Sequence, residues 1–420
     1  MDFVIRGDIA YSASQTQLYT QENAYLVCTN GVCRGVFREL PSAFGALPLL
    51  DHRGKLVIPG MVDLHLHAPQ FAFRGLHMDE PLLSWLEKYA FPEEVKYADP
   101  DYAKRAYTIF ADALRSSATT RAVVFATKHL DATLLLMELL EKTGLQTLVG
   151  KVNMDRGAPA ALLDDSAESS AAETVRLIEA STRFRNTKPV VTPRFIPSCT
   201  EPLLAKLGEI AQKYDLPVQS HLSENPEEIK LVRELIPDAG CYAGGYEKHG
   251  LLGEKTVMAH CVYSTEEEIA LLHKRGVFVA HCPSSNLNVS SGMAPIRKYL
   301  DAGLRVGLGS DVAGGEKESI FDEARKAIVV SKMYNLYVDR GAKPLTFQEG
   351  FWLATRSGGA FFGKVGAFEE GFAADIVVLD DAKLPHPQKL TVAERVERSF
   401  YLGADREAIA AKFVGGEKIL

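Results

Sequence analysis

Three ionisable side chains occupy alternate positions of one apolar segment. Asp63, His65 and His67 lie in MVDLHLHA, residues 61–68. Alternate side chains of a β-strand share one face, so both imidazoles would be able to reach one ion. A His-x-His pair is weak evidence by itself, because solvated and core histidines often produce it. The segment therefore indicates a metal site only if further ligands come from elsewhere in the chain.

Further candidate ligands lie where other apolar segments end. In chain order they are His221, Glu224, His260 and Asp311. Each has an ordinary alternative, such as a buried histidine, a solvated loop carboxylate or a helix cap. Together, three imidazoles and a carboxylate suit zinc, with iron or manganese as alternatives. Such an ion lowers the pKa of a bound water to about 7, and Glu224 would be a free carboxylate that moves the proton of this water.

Elements that alternate along the chain would position these residues. Eight apolar segments are separated by segments with helical periodicity, such as DYAKRAYTIFADALRSS, EPLLAKLGEIAQKYD and TEEEIALLHKRG. The apolar segments are MVDLHLHA (61–68), TTRAVVFAT (119–127), TLVGKVNMD (147–155), VVTPRFIPS (190–198), PVQSHLSE (217–224), TVMAHCV (256–262), FVAHCPSSN (278–286) and RVGLGSDV (305–312). This alternation predicts an α/β protein with a parallel sheet covered on both faces.

The number of these units favours one architecture. Eight units over about 250 residues match a (β/α)8 TIM-type barrel, whose chemistry lies at the carboxyl ends of the strands. An open doubly wound sheet is the alternative, but no glycine-rich phosphate turn follows any predicted strand. The candidate ligands follow several different strands, as expected for a barrel.

Both ends of the chain have the pattern of short β-strands. YLVCT and VCRGVF flank Asn30-Gly31, a dipeptide typical of tight hairpin turns, and GFAADIVVLD is strand-like again near the other end. We predict a small β-sandwich domain built from residues 1–58 and 366–420. The barrel would occupy residues 59–365.

Composition excludes several classes of function. The chain of 420 residues is 46% hydrophobic and 24% charged, as in ordinary globular proteins, and its net charge is −7. This acidic balance argues against binding to nucleic acid or to an anionic membrane. Six cysteines are too sparse for a disulfide framework, and MDFVIRGDIA lacks the features of a signal peptide. We therefore expect a cytoplasmic protein with reduced thiols.

Several segments resemble the amidohydrolase superfamily. PGMVDLHLH, the histidine that ends the fifth strand, His260 and the SDV that ends the eighth strand carry this resemblance. HAPQ, LLSWLEKYAFPEE, TPRFIPSC, SHLSENPEE, AHCPSSNL and GLGSDVAGG are similar to the branch of the superfamily that deaminates guanine. The resemblance spans almost all of residues 55–360. It implies hydrolysis of guanine, a small-molecule purine, to xanthine and ammonia by a metal-bound hydroxide, and a homodimer.

The resemblance also implies roles for individual residues. The implied ligands of the metal are His65, His67, His221 and Asp311. The implied catalytic residues are Glu224 as proton shuttle, Asp311, and His260, which polarises the bound water and the substrate. The implied substrate-binding residues are Gln70, Arg194, Phe195 and His260. An arginine and an amide complement the adjacent carbonyl and N–H of a guanine-like ring.

Two further predictions concern the number of metals and the long connection after the first strand. Superfamily members with two metals bridge them by a modified lysine at the end of the fourth strand, and VVTPRFIPS contains no lysine. Lys151 lies in the third segment instead, so we predict one divalent metal per chain and a structural role for Lys151. Trp85 lies in the connection over residues 68–118, where we predict a packed amphipathic helix without a chemical role.

Other functions remain open from the sequence alone. A different deaminase or amide hydrolase of the same superfamily would act on a related purine, cytosine or a triazine. A barrel that serves only as a scaffold is a further alternative, although such proteins typically lose ligands that are present here.

Overall fold

The computed structural model describes residues 1–403 and 406–420. Its strands are β1 (Phe3–Ser14), β2 (Gln17–Thr29), β3 (Val32–Phe37), β4 (Leu49–Pro59), β5 (Met61–His67), β6 (Thr119–Phe125), β7 (Gln146–Gly150), β8 (Val152–Asn153), β9 (Thr187–Pro189), β10 (Thr192–Pro193), β11 (Val218–Leu222), β12 (Thr256–His260), β13 (Phe278–His281), β14 (Arg305–Leu308), β15 (Ile376–Leu379), β16 (Ile409–Val414) and β17 (Glu417–Lys418). Its α-helices are α1 (Leu82–Trp85), α2 (Phe91–Val95), α3 (Pro100–Ser116), α4 (Leu130–Thr143), α5 (Ala167–Ser181), α6 (Glu201–Lys213), α7 (Pro226–Leu235), α8 (Tyr242–Lys248), α9 (Glu266–Arg275), α10 (Pro283–Asn288), α11 (Ile296–Asp301), α12 (Ile320–Tyr337), α13 (Phe347–Trp352) and α14 (Val392–Tyr401).

The two ends of the chain meet in one seven-stranded sheet. Its strand order is β17-β16-β15-β4-β1-β2-β3, so strands from beyond residue 375 pair with strands from the first 59 residues. The hairpin between β2 and β3 turns at Asn30 and Gly31, whose φ angles are 53° and 76°. Positive φ at both positions is what a type I′ turn requires, and Asn-Gly satisfies it at low cost. The predicted hairpin is confirmed.

The middle of the chain forms parallel strands. One sheet has the order β5-β6-β7-β9 and another the order β11-β12-β13-β14. A bridge between Val191 and Val218 links these sheets on one side. On the other side, Asp311 N donates to His65 O at 2.8 Å, and His67 N donates to Val312 O at 3.0 Å. A mixed α/β fold with parallel strands, as predicted, is therefore confirmed.

The third and fourth apolar segments form shorter strands than the pattern predicts. The third is divided into β7 and β8 at Lys151, and the fourth contains only the short β10, while β9 ends just before it. Pro189 and Pro193 end these last two strands, and proline has no N–H to donate to a sheet. The Lys151 ammonium is buried and lies 3.0 Å from Asp164 and 3.3 Å from Glu173. This geometry agrees with a structural role for Lys151.

Several of the helices that cover the parallel strands begin at side-chain caps. Thr200 accepts a hydrogen bond from Leu203 N at the start of α6, and Thr265 accepts one from Glu268 N at the start of α9. The helices predicted from DYAKRAYTIFADALRSS, EPLLAKLGEIAQKYD and TEEEIALLHKRG are α3, α6 and α9, so these three predictions are confirmed. Among the described residues, no helix combines the length and the apolar character needed to cross a membrane.

A buried ion pair joins β6 to the segment before β15. Arg121 Nε donates to the Asp375 carboxylate at 2.6 Å, and Gly415 N donates to the same carboxylate at 2.8 Å. The Asp375 side chain is fully buried. Removal of the arginine would leave this charge without its cationic partner. We expect Arg121→Ala to lower the free energy of unfolding by about 3–5 kcal/mol, measured by urea denaturation.

An exposed ion pair provides the control for this prediction. Arg53 and Asp51 are 2.7 Å apart, but both side chains face solvent. We expect Arg53→Ala to leave the urea midpoint unchanged, because exposed pairs add little to stability. Equal midpoints for the two variants would contradict a stabilising role for the Arg121–Asp375 pair.

Candidate metal centre and substrate cavity

The structure gathers the predicted ligands at the carboxyl ends of the parallel strands. His65 and His67 lie on β5, His221 on β11 and His260 on β12, and Asp311 follows β14. His65 Nε2 lies 3.0 Å and His67 Nε2 3.3 Å from Asp311 Oδ1, and the Nε2 atoms of His67 and His221 are 3.1 Å apart. Possible ligand atoms of His65, His221 and His260 also lie within 4.8 Å of one another. The five side chains therefore form one compact cluster.

Burial gives this cluster the charge state of a metal site. It lowers the pKa of His65, His67 and His221, so their imidazoles are neutral and offer lone pairs. Burial opposes ionisation of Asp311, but the electrostatic effects of the surrounding histidines, that of His65 first, lower the pKa of Asp311 overall. His65 Nε2 is buried and makes no well-directed hydrogen bond. Neutral imidazoles beside an ionised carboxylate fit a single divalent cation.

Hydrogen bonds orient two of the rings. His221 Nδ1 lies 2.6 Å from the backbone oxygen of Arg194, which only an Nδ1–H can satisfy. Its Nε2 therefore carries the lone pair that faces the cluster. His260 Nδ1 lies 2.9 Å from Asn286 Oδ1, so His260 also donates from Nδ1. These bonds determine which nitrogen of each ring faces the cluster.

Asp63 shares a strand face with the two histidines, but its hydrogen bonds go to Ser310 and to the His65 backbone rather than into the cluster. Its carboxylate accepts hydrogen bonds from Ser310 N at 3.0 Å and Ser310 Oγ at 2.5 Å, and from His65 N at 3.2 Å. Burial raises the pKa of Asp63 to about 7. Asp63 therefore ties β5 to the segment that carries Asp311.

Several of these strands end at residues with a strained, left-handed backbone conformation. Ser223, His260, Cys261 and Asp311 have φ angles of 47°, 71°, 49° and 45°. Residues other than glycine rarely adopt this left-handed conformation, and it concentrates at functional sites. Four of the nine described non-glycine residues with positive φ lie at the ends of strands that carry the cluster.

A second carboxylate lies beside the cluster and is held by a different partner. Glu224 Oε1 accepts a hydrogen bond from Ser291 Oγ at 2.9 Å, and Glu224 Oε2 lies 3.4 Å from His260 Nε2. Burial raises the pKa of Glu224 above its ordinary value of 4.5. The charge of Glu224 raises the pKa of His260 in turn, although burial works against this rise. Glu224 therefore has the position and environment of a proton carrier.

A cavity opens from the cluster. Gln70, Arg194 and Phe195, the residues predicted to contact substrate, all line it. Its remaining wall includes four residues that the sequence did not single out for this purpose: Leu82, Trp85, Leu86 and Val289. Trp85 lies in a packed helix, as predicted, but it also faces this cavity. An amphipathic pattern alone cannot distinguish a face that meets the core from one that meets a ligand.

The sequence analysis also missed Glu94. Its carboxylate lies 2.6 Å and 3.0 Å from two guanidinium nitrogens of Arg194 and accepts a hydrogen bond from Gln70 Nε2 at 2.9 Å. Glu94 lies 24 residues from Gln70 and 100 residues from Arg194. No local pattern could indicate contacts over these separations.

Comparisons with known proteins agree with the fold and the site. The model of the amidohydrolase family matches residues 56–416, and the chain belongs to this family. Guanine deaminase of Mus musculus is 40% identical over 385 residues, which cover 88% of this chain and 84% of the relative. Guanine deaminase of Escherichia coli is 34% identical, with the same coverage. The crystal structure of guanine deaminase from C. acetobutylicum with bound guanine is 40% identical, covers both chains completely and has a TM-score of 0.97.

Metal content tests the geometry of the cluster. We expect His221→Ala and Asp311→Asn each to reduce zinc affinity by at least about tenfold, because each removes a predicted ligand. Glu224→Gln is the matched control, since Glu224 is equally buried but lies outside the ligand set. Elemental analysis after purification without chelators measures the bound metal. Full occupancy in His221→Ala, or loss of metal in Glu224→Gln, would contradict the assignment.

Proposed function

We propose that this protein deaminates guanine by hydrolysis and releases xanthine and ammonia. The observation that carries the proposal is a buried cluster of neutral imidazoles and a carboxylate, open to a cavity whose polar groups suit an amide edge. Identity of 40% to a guanine deaminase whose structure contains bound guanine supports this substrate over cytosine or a triazine. The proposed role of the protein is therefore in the breakdown of purines.

We infer that His65, His67, His221 and Asp311 hold one divalent metal ion. Zinc suits this ligand set first, with iron or manganese as alternatives. When bound, the ion supplies a hydroxide nucleophile at neutral pH. A single ion is supported by the pairing of Lys151 with Asp164, which leaves no lysine of the described residues in the cavity beside the cluster to bridge a second one.

The residues around the ion perform the proton transfers. Glu224 accepts a proton from the attacking water on a carboxylate oxygen and delivers it to the ring nitrogen beside the carbon that carries the amino group. The hydroxyl now attached to this carbon gives up its remaining proton, which Asp311 and Glu224 pass to the amino nitrogen. The carbon–nitrogen bond then breaks, the oxygen becomes the carbonyl of xanthine, and the nitrogen departs as ammonia. His260 Nε2 faces Glu224 at 3.4 Å and polarises both the water and the substrate.

Four residues bind and orient the purine in this proposal. Gln70 and Arg194 complement the adjacent N–H and carbonyl of guanine. Phe195 lies beside the ring, and His260 contacts it near the reacting carbon. All four line the same cavity as Glu224.

The architecture that holds this site is also part of the proposal. We propose that residues 59–365 form a closed (β/α)8 barrel, which the backbone links from Val191 to Val218 and from Asp311 to His65 support. Residues 1–58 and 366–420 would form a separate small β-sandwich. Bulges in β1 and a shared apolar cluster of Phe3, Leu26 and Phe413 support this arrangement.

We infer the cellular location from the free cysteines and the class of substrate from the net charge. Six free cysteines support a reducing, cytoplasmic location, and the net charge of −7 supports a small-molecule substrate rather than nucleic acid or a membrane. We propose a homodimer, as the family resemblance implies. Exposed apolar residues along and just after α12, including Val329, Met333 and Tyr337, are consistent with a contact between subunits.

An ammonia-release assay with guanine tests the proposed function. We expect the metal-loaded protein to turn over guanine, and Glu224→Gln to lower kcat by about 10²–10⁴ while it retains its metal, because the proton carrier is lost. Metal-loaded protein that ignores guanine but deaminates cytosine or a triazine would overturn the proposed substrate. Full activity in Glu224→Gln would overturn the proposed proton path.

The pH dependence of kcat/KM tests the environment of Glu224. Glu224 must be ionised to accept a proton from water, and burial raises its pKa above 4.5. Activity should therefore fall on acidification at a higher pH than an ordinary glutamate would produce. Metal content, measured at each pH, controls for loss of the ion. An acid limb at or below pH 4.5 in fully metallated protein would contradict this environment.

A further inference from the structure

Glu94 is a buried carboxylate whose contacts all lead to the substrate-binding side chains. It lies on α2, and only 1% of its surface is exposed. One carboxylate oxygen accepts from Arg194 at 2.6 Å, and the other accepts from Arg194 at 3.0 Å and from Gln70 Nε2 at 2.9 Å. Glu94 itself does not line the cavity, so it acts on a ligand only through these two neighbours.

These contacts determine which atom of the Gln70 amide faces the cavity. A carboxylate accepts hydrogen bonds and cannot donate them, so only the amide NH₂ of Gln70 can bond with Glu94. The amide oxygen Oε1 is left buried and has no partner among the described residues. Gln70 therefore presents an acceptor to the cavity, and a buried acceptor without a partner is costly until a ligand donates to it.

The same carboxylate holds the guanidinium of Arg194. Two Arg194 nitrogens bond with Glu94, and the remaining N–H groups of this side chain can donate only. The cavity thus offers a fixed acceptor from Gln70 and donors from Arg194. This pattern complements an N–H next to a carbonyl, and it opposes a ring nitrogen next to an amino group.

We propose that Glu94 is a positioning residue that makes the site select the lactam edge of a 2-aminopurine and reject the amidine edge. This inference rests on the proposed deamination of guanine. Guanine and 2,6-diaminopurine carry the same amino group at the reacting carbon. They differ at the edge that Gln70 and Arg194 contact, where guanine has an N–H and a carbonyl and 2,6-diaminopurine has an acceptor nitrogen and an NH₂.

The ratio of kcat/KM for guanine to that for 2,6-diaminopurine measures this selection. Sites built around hydrogen bonds of fixed direction discriminate by up to about 10⁴-fold. In Glu94→Gln, the new amide can keep its oxygen on Arg194 and donate its NH₂ to Gln70 Oε1, which turns the Gln70 NH₂ into the cavity. We expect the ratio to fall by about 10- to 100-fold, the effect of one misdirected buried hydrogen bond.

Glu93→Gln is the matched control for this experiment. Glu93 is the adjacent residue of the same helix and is also buried, but its carboxylate bonds with Lys96 and Tyr102 instead. We expect Glu93→Gln to leave the ratio unchanged.

When turnover of 2,6-diaminopurine is slow, its competitive inhibition constant against guanine measures the same preference.

Three outcomes would distinguish a failure of the inference about Glu94 from a failure of the proposed function. A Glu94→Gln variant with lower activity on both purines and an unchanged ratio would overturn the inference, because Glu94 would then only neutralise Arg194. If Glu94→Gln does not fold, Gln70→Leu replaces it, and an unchanged ratio in that variant would overturn the inference equally. Failure of the unmodified, metal-loaded protein to deaminate guanine would instead overturn the proposed function.

Discussion

The site depends on two backbone hydrogen bonds that bring the last parallel strand beside the first. Asp311 N donates to His65 O, and His67 N donates to Val312 O. These bonds hold residues that are almost 250 positions apart in the chain, and they bring Asp311 Oδ1 within 3.0 Å of His65 Nε2. Asp63 reinforces the same junction through Ser310. Without this junction the carboxylate and the two histidines would belong to separate surfaces.

Different neighbours shift the pKa values of two buried carboxylates in this site in opposite directions. Asp311 lies among imidazoles, which lower its pKa, so it remains an anion suited to a metal. Glu224 has a serine and His260 as neighbours, and burial raises its pKa. A pair of carboxylates with pKa values shifted in opposite directions is typical of sites that divide charge stabilisation from proton transfer. In the proposed function, one rim of parallel strands thereby provides the cation site and the proton carrier side by side.

Residues that follow a short-range pattern could be predicted from the sequence. The alternation of Asp63, His65 and His67 predicted a shared strand face. The position of Asp311 at the end of an apolar segment predicted its place at the rim. The Asn30-Gly31 hairpin and three amphipathic helices were also predictable, because turn preference and helical period are local properties.

Long-range contacts and interrupted strands could not be predicted in this way. Glu94 reads as one acidic residue of FPEEV, and only the tertiary fold reveals that it lies against Arg194. Trp85 has the pattern of a packed helix, and the cavity it faces is formed by other segments. The division of the third segment into β7 and β8 coincides with the buried pair of Lys151 and Asp164. These features belong to the packing of distant segments, which a single sequence does not record.

Anomalous diffraction from crystals of the zinc-loaded protein tests the central claim most directly. The account predicts one peak per chain, within about 2.0–2.2 Å of a nitrogen of His65, His67 and His221 and an oxygen of Asp311, with Glu224 outside the coordination sphere. Two peaks per chain, or a single peak bound by Glu224 in place of Asp311, would contradict it.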